Sequence, residues 1–147
     1  MSAPEGGLPP GSEGLDDTAF LEAFESCRLR SDQFHHRDHL RLAWLYVQRY
    51  PLGEALDRFA AGLRRLAAAF GKAALYHETI TFAYLLLTHE RIARMAPGGD
   101  WPAFVRENAD LLTWRPSILR MYYSEALLES DLARRVFVWP DRCGGGA

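Results

Sequence analysis

The sequence has few cysteines and no large excess of either charge. Cys27 and Cys143 are the only cysteines among its 147 residues, a density far below that of secreted domains held together by disulfides. The formal net charge is -2 at pH 7, which provides no general attraction to nucleic acid or anionic lipid. We therefore expect no disulfide scaffold, no nucleic-acid partner and no membrane partner.

Long apolar segments and targeting signals are also missing. No stretch approaches the roughly 18 apolar residues that a membrane-spanning helix needs, and the opening MSAPEGGLPPGSEG lacks the basic start and apolar core of a secretory signal. A cytoplasmic protein is expected. Composition rich in Pro, Gly and Ser predicts a disordered tail over residues 1–15, and RCGGGA predicts a flexible tail over residues 142–147.

Helical periodicity is the main pattern that the sequence does contain. Hydrophobic residues make up 48% of the chain and charged residues 24%, a globular balance in a chain long enough for one core. Apolar residues recur three and four positions apart, and no useful stretch alternates as a strand does. We predict an all-α, single-domain bundle of five to seven helices over residues 16–141.

Four longer helices are predicted first. Asp16 or Asp17 is a candidate N-cap for the first, Pro51 ends the second, and Gly71 is a candidate glycine cap after the third. The fourth, near residues 75–95, is apolar on nearly every side, so we expect it to be the central helix.

Shorter helices are predicted in the last third of the chain. Asp100 is expected to cap a helix that continues to roughly Leu112, and another should begin at Pro116. Two further short pieces follow, the last with Ser130 or Asp131 as its cap.

Four of the five histidines lie in or near two short stretches, FHHRDHL and YHETIT. His36 and His39, in a helix that Ser31 or Asp32 is expected to cap, are about one turn apart and share a face. His35 is rotated from His36 by about 100°, so we expect it outside any shared site, as we do His89 at the end of the fourth helix.

A metal site is the first hypothesis for these histidines. His36 and His39, with His77 or Glu78, would provide three histidines or two histidines and a carboxylate, as in catalytic zinc and non-haem iron sites. Because His77 and Glu78 are adjacent, one is expected to be the ligand and the other its hydrogen-bonded support. One divalent ion is implied, with Zn, Fe, Ni, Cu and Mn not distinguished; the reaction, if the protein is an enzyme, is not specified.

A metal-free binding or interaction module is the alternative, in which the same side chains form a structural polar network. The spacing lacks the H-E-x-x-H pattern of zinc proteases, and the sequence has no nucleotide-cofactor motif. Tyr76 and Thr81 are candidate pocket residues beside the second histidine stretch, and Arg120 and Tyr122 are candidates for holding an anionic small molecule. A basic patch on an outer face is the preferred explanation for Arg120, and a homodimer through an apolar helix face is left open.

The two histidine stretches, together with YYSEALLESDLARRVFVWPD near the end of the chain, resemble a family of small bacterial all-helical proteins. Its motifs here are F-x-H-x-x-H-L and Y-H-E-T-I-T. The similarity spans about residues 17–141. It implies a bacterial, soluble, single-domain helical protein and carries no activity, substrate, cofactor or catalytic residue with it.

Overall fold

The computed structural model describes residues 14–142, except for the side chain of Gln33, so the two predicted tails lie almost wholly outside the described residues. The four longer helices are α1 (Asp17–Glu25), α2 (His36–Arg49), α3 (Leu52–Ala69) and α4 (Glu78–Arg94). The shorter ones are α5 (Trp101–Glu107), α6 (Ala109–Leu112), α7 (Glu125–Leu128) and α8 (Asp131–Arg135). The described part of the chain contains no strand, which confirms the predicted all-α fold.

Three short 3-10 segments join these helices: Ser31–Gln33, Ala73–Leu75 and Ile118–Met121. The described residues form eight α-helices because the fifth predicted helix is divided at Asn108 into α5 and α6. The side-chain amide of Asn108 donates to the carbonyl of Phe104 at 2.9 Å. This bond competes with the regular helical pattern at the break.

Several predicted helix ends are confirmed by their hydrogen bonds. The Asp16 carboxylate accepts the backbone N–H of Ala19 at 2.8 Å, and Asp100 likewise accepts that of Ala103 at 3.0 Å. Gly71 follows α3 with a φ of 73°, a left-handed conformation that glycine adopts without steric cost.

The cap predicted for α2 is wrong. Ser31 and Asp32 belong to a 3-10 segment, and His35 is the N-cap residue of α2. The carboxylate of Asp38 accepts the backbone N–H of His35 at 2.9 Å, which is the return half of a capping box. The first turn of α2 is therefore fixed where its histidines lie.

The fourth helix is central, although it begins at Glu78 rather than near residue 75. It packs against α2, α3 and α8. Thr79 ties it to the chain after α8, because its hydroxyl donates to the carbonyl of Val136 at 2.9 Å and accepts the N–H of Val138 at 3.2 Å. Within the described residues, no helix combines the length and apolar character needed to cross a lipid bilayer.

A dense core lies between α1, α2 and α3. Its largest side chains with essentially no exposed surface are Phe20, Phe24, Leu40, Leu42, Tyr46, Phe59 and Leu66. At Gly62 the backbone of α3 comes so close to α1 that an added Cβ would lie 2.5 Å from Cε2 of Phe24. Each buried apolar side chain of this size contributes about 1.5–3 kcal/mol relative to exposure, so this core accounts for much of the stability of the fold.

Candidate functional site

A cavity of about 770 Å³ lies between α2, α3 and α4. Helix α3 supplies its apolar wall, with Phe59, Leu63, Leu66 and Ala67. The opposite walls come from the segments that carry the two histidine stretches. The remaining lining residues are Ser31, Phe34, His35, His36, His39, Phe70, Lys72, Leu75, Tyr76, His77, Ile80, Thr81, Tyr84, Trp114 and Arg134.

His36 lies in the first turn of α2 and is half-buried. Its Nε2 donates to the carbonyl of Leu111 at 2.8 Å; since a carbonyl only accepts, the neutral ring carries its proton on Nε2. The ring also contacts Tyr84 and Trp114, with centroids 4.8 Å and 4.9 Å away. Burial lowers the pKa of His36, so the ring is neutral at pH 7.

His39 lies one turn further along α2. Its Nδ1 donates to the carbonyl of His35 at 3.1 Å, and its ring centroid is 4.3 Å from that of Phe34. The pKa of His39 is lowered to about 4, chiefly by burial and to a smaller extent by the neighbouring imidazoles of His36 and His35. The ring is therefore neutral at pH 7, with the lone pair on Nε2.

His77 is buried and is the N-cap residue of α4. Its Nδ1 accepts the backbone N–H of Ile80 at 3.1 Å, while its Nε2 donates to the carbonyl of Leu128 at 2.7 Å. Burial lowers the pKa of His77, and the positive charge of Arg134 acts in the same direction. Both ring nitrogens thus bond to backbone groups, and the side chain ties the start of α4 to the end of α7.

Glu78 does not line the cavity. Its Oε1 accepts hydrogen bonds from Arg64 at 2.9 Å and from the hydroxyl of Tyr76 at 2.7 Å. The pKa of Tyr76 is raised, first by burial and then by this bond to Glu78. The carboxylate is therefore compensated by a cation and a phenol at the edge of the bundle.

The structure gathers most of the predicted site residues around one cavity. His36, His39 and His77 line it together, and so do Tyr76 and Thr81. The expectation that His35 lies outside is wrong, because it lines the same cavity.

Other predicted residues lie elsewhere. His89 is exposed near the end of α4, as expected. Tyr122 lines a separate hollow of about 210 Å³ with Phe137 and Trp139. Arg120 is exposed and lines neither cavity. The structure therefore does not bring Arg120 and Tyr122 to the histidines.

The predicted metal site stays a prediction. Among the residues that the structure describes, no three His, Cys, Asp or Glu side chains form a group that would hold an ion as they stand. His77 already uses both ring nitrogens, and Glu78 is bonded to Arg64 and Tyr76. His36 and His39 each retain one ring nitrogen without a hydrogen bond to a described residue.

Sequence reasoning missed the residues that close the cavity. Leu63 and Ala67 of α3 face the cavity, and helical periodicity alone does not distinguish such a wall from a filled core. Lys72 and Arg134 come from segments that are distant in sequence, so spacing alone could not place them together. One signal was available: Lys72 is the only lysine of the chain.

Comparison with protein-family models, with curated proteins and with solved structures finds no match for this chain. The resemblance to a family of bacterial helical proteins therefore stays a prediction.

Proposed function

We propose that the protein binds a small organic molecule in the cavity between α2, α3 and α4. The observation that carries the proposal is a space of about 770 Å³ beside a closely packed core. Binding sites for small molecules usually have volumes of about 300–1,000 Å³ and are lined mainly by apolar and aromatic groups. Five apolar side chains of α3 and its end, from Phe59 to Phe70, provide such a wall.

Aromatic and polar groups give the cavity selectivity. Trp114 and Tyr84 lie beside His36 with ring centroids within 4.9 Å of its own, and such surfaces favour a flat aromatic ligand. Nδ1 of His36 and Nε2 of His39 have no hydrogen bond to a described residue. Because these rings are neutral at pH 7, both nitrogens are acceptors for a ligand donor.

A substitution that fills the cavity tests this proposal. Ala67 lines the cavity, whereas Ala68 is exposed on the same helix and does not line it. A panel of uncharged aromatic fragments, observed by ligand-detected NMR, should include binders to the parent protein. Ala67→Phe should weaken their binding by about tenfold or more, since the new ring occupies their volume, and Ala68→Phe should leave it unchanged.

The thermal melting of both variants provides the control for folding. Ala67→Phe should melt close to the parent, because the added ring enters existing space. The proposal is contradicted if no fragment binds the parent, or if fragments bind Ala67→Phe and the parent equally.

A divalent metal ion is the second candidate ligand. It is favoured by the shared cavity of His36 and His39, whose burial keeps both imidazoles neutral, as coordination requires. A bound ion would polarise a water or substrate atom beside these rings. Added Zn, Fe, Ni, Cu or Mn should then raise the melting temperature of the untagged parent but not of a His36→Ala, His39→Ala double variant. An equal response of the two proteins would contradict this candidate.

A further inference from the structure

The charged residues that line the cavity all have the same sign. Lys72 and Arg134 are the basic side chains of the lining, and none of the lining residues in the described part of the chain is an aspartate or a glutamate. Acidic residues nevertheless outnumber basic ones in the sequence, at 19 against 17. The lining of the cavity therefore differs in the sign of its charge from the sequence as a whole, which has a small negative net charge.

Arg134 has no carboxylate partner among the residues that the structure describes. Its Nη1 donates a long hydrogen bond of 3.4 Å to the carbonyl of Leu75, and both residues line the cavity. Its neighbour Arg135 instead pairs with Asp131 in the same helix, at 2.6 Å. The two adjacent arginines of α8 thus differ. Arg135 is paired with a carboxylate and does not line the cavity, whereas Arg134 lines the cavity and has no carboxylate partner among the described residues.

Lys72 brings the second charge from a different segment. It follows Gly71 at the end of α3, is exposed, and forms no ion pair with any residue of the described range. Lysine is suited to such a rim, because its long side chain carries a compact charge that moves to meet a ligand.

The interior of the cavity does not cancel this positive charge. Burial keeps His36, His39 and His77 neutral at pH 7. The nearby carboxylate of Glu78 is compensated by Arg64 at 2.9 Å. An apolar interior with neutral polar groups is therefore joined to a rim with two cations, and neither cation forms an ion pair with a carboxylate of the described residues.

We infer that the ligand class is an organic anion, with an aromatic or apolar body inside the cavity and one carboxylate-like head group held by Lys72 and Arg134. The inference rests on the proposed function and adds the charge of the ligand to it. A low-dielectric wall beside the two cations strengthens their attraction for an anion compared with the same charges in water.

Three probes of nearly equal shape test the sign of the charge: naphthoate, its neutral amide, and naphthylmethylammonium. We expect naphthoate to bind the parent about tenfold more tightly than the amide, and the cation to bind most weakly. Equal affinities for naphthoate and the amide would overturn the inference while leaving the proposed function standing. Failure of all three probes to bind would count against both.

Charge-removing variants locate the effect. Arg134→Gln and Lys72→Gln should each weaken the binding of naphthoate severalfold. The double variant should bind naphthoate only as tightly as the parent binds the amide. Arg135→Gln is the matched control, because it removes a positive charge one residue away without touching the cavity. Binding of the amide, which does not depend on the two cations, should stay unchanged in all variants and verifies folding. Equal weakening by Arg134→Gln and Arg135→Gln would contradict the assigned head-group site.

The single lysine provides an independent measurement. Reductive methylation with a carbon-13 label gives one side-chain signal, from Lys72, beside that of the chain's amino terminus. Saturating naphthoate should shift the Lys72 signal, and the amide should shift it far less. A Lys72 signal that does not respond to naphthoate, although naphthoate binds, would overturn the role of this residue.

Discussion

Helix α3 has two adjacent faces that differ in packing. On one side, Gly62 meets Phe24 so closely that an added Cβ would lie 2.5 Å from the ring. On the other, Leu63 and Ala67 border a cavity of about 770 Å³. One helix thus belongs both to a core at close packing and to the wall of a large space, so the space does not reflect loose packing of the whole protein.

The difference has a physical cause in the residues opposite each side. Aromatic side chains from α1 and α2 fill the tight side. The starts of α2 and α4 bring imidazoles to the other side, where His36 and His77 are bonded to the carbonyls of Leu111 and Leu128. These hydrogen bonds fix the two rings to the wall. Removing either imidazole would leave the carbonyl that it bonds without its donor.

The largest expected effect comes from adding a methyl group on the tight side. Gly62→Ala should destabilise the protein by about 1–3 kcal/mol, because Phe24 is fully buried and has little room to move. Gly53→Ala in the same helix meets nothing within 4 Å and should stabilise by up to about 1 kcal/mol. Urea unfolding measures both, and equal effects of the two substitutions would contradict the close contact of Gly62 with Phe24.

A smaller effect is expected at the cap of α4. His77→Ala removes the acceptor for the Ile80 N–H and the donor to the Leu128 carbonyl, which should cost about 1–2 kcal/mol. His77→Asn restores a side-chain cap but not the tie to Leu128, so it should recover roughly half of the loss. Thermal or urea unfolding measures the stability of both variants. If both are as stable as the parent, the hydrogen bonds of His77 do not stabilise this wall of the cavity.

The smallest expected effect is a pH dependence from His39. Its pKa of about 4 in the folded protein is below the 6.5 of an unperturbed histidine, so the unfolded chain takes up a proton first as the pH falls. Stability from the neutral ring is complete above pH 6.5 and is lost as the pH falls towards 4.

His39→Gln should therefore remove about 1 kcal/mol of the stability difference between roughly pH 7.5 and pH 5, a value reduced for the partial solvent exposure of the ring. Because His89 is exposed, His89→Gln is the control, and its stability should depend on pH as that of the parent does. Parallel curves for parent and His39→Gln would contradict the burial assigned to this ring.

The helices could be predicted from sequence because their ends are encoded locally. Asp16, Asp100 and Ser130 each accept a hydrogen bond from a backbone N–H three residues later, and such caps depend only on neighbouring residues. The break at Asn108 was not predicted, because an asparagine inside an apolar pattern does not reveal whether its amide will compete for the backbone.

The site could be predicted only in part. Helical spacing predicted that His36 and His39 share a face, and adjacency predicted that His77 and Glu78 point in different directions. Which of the two faces the cavity depends on His77 becoming a cap with extended backbone, at φ -132° and ψ 110°. The sequence could not predict that Lys72 and Arg134 line the same cavity, because they come together only through the packing of α8 on α4.

The most direct test of the proposed binding site is the set of intermolecular NOEs between naphthoate and the protein. The account predicts contacts from the naphthalene protons to the side chains of Leu63, Ala67 and Trp114, which line the large cavity. NOEs to Phe137 and Trp139 instead, around the separate hollow of about 210 Å³, would contradict it.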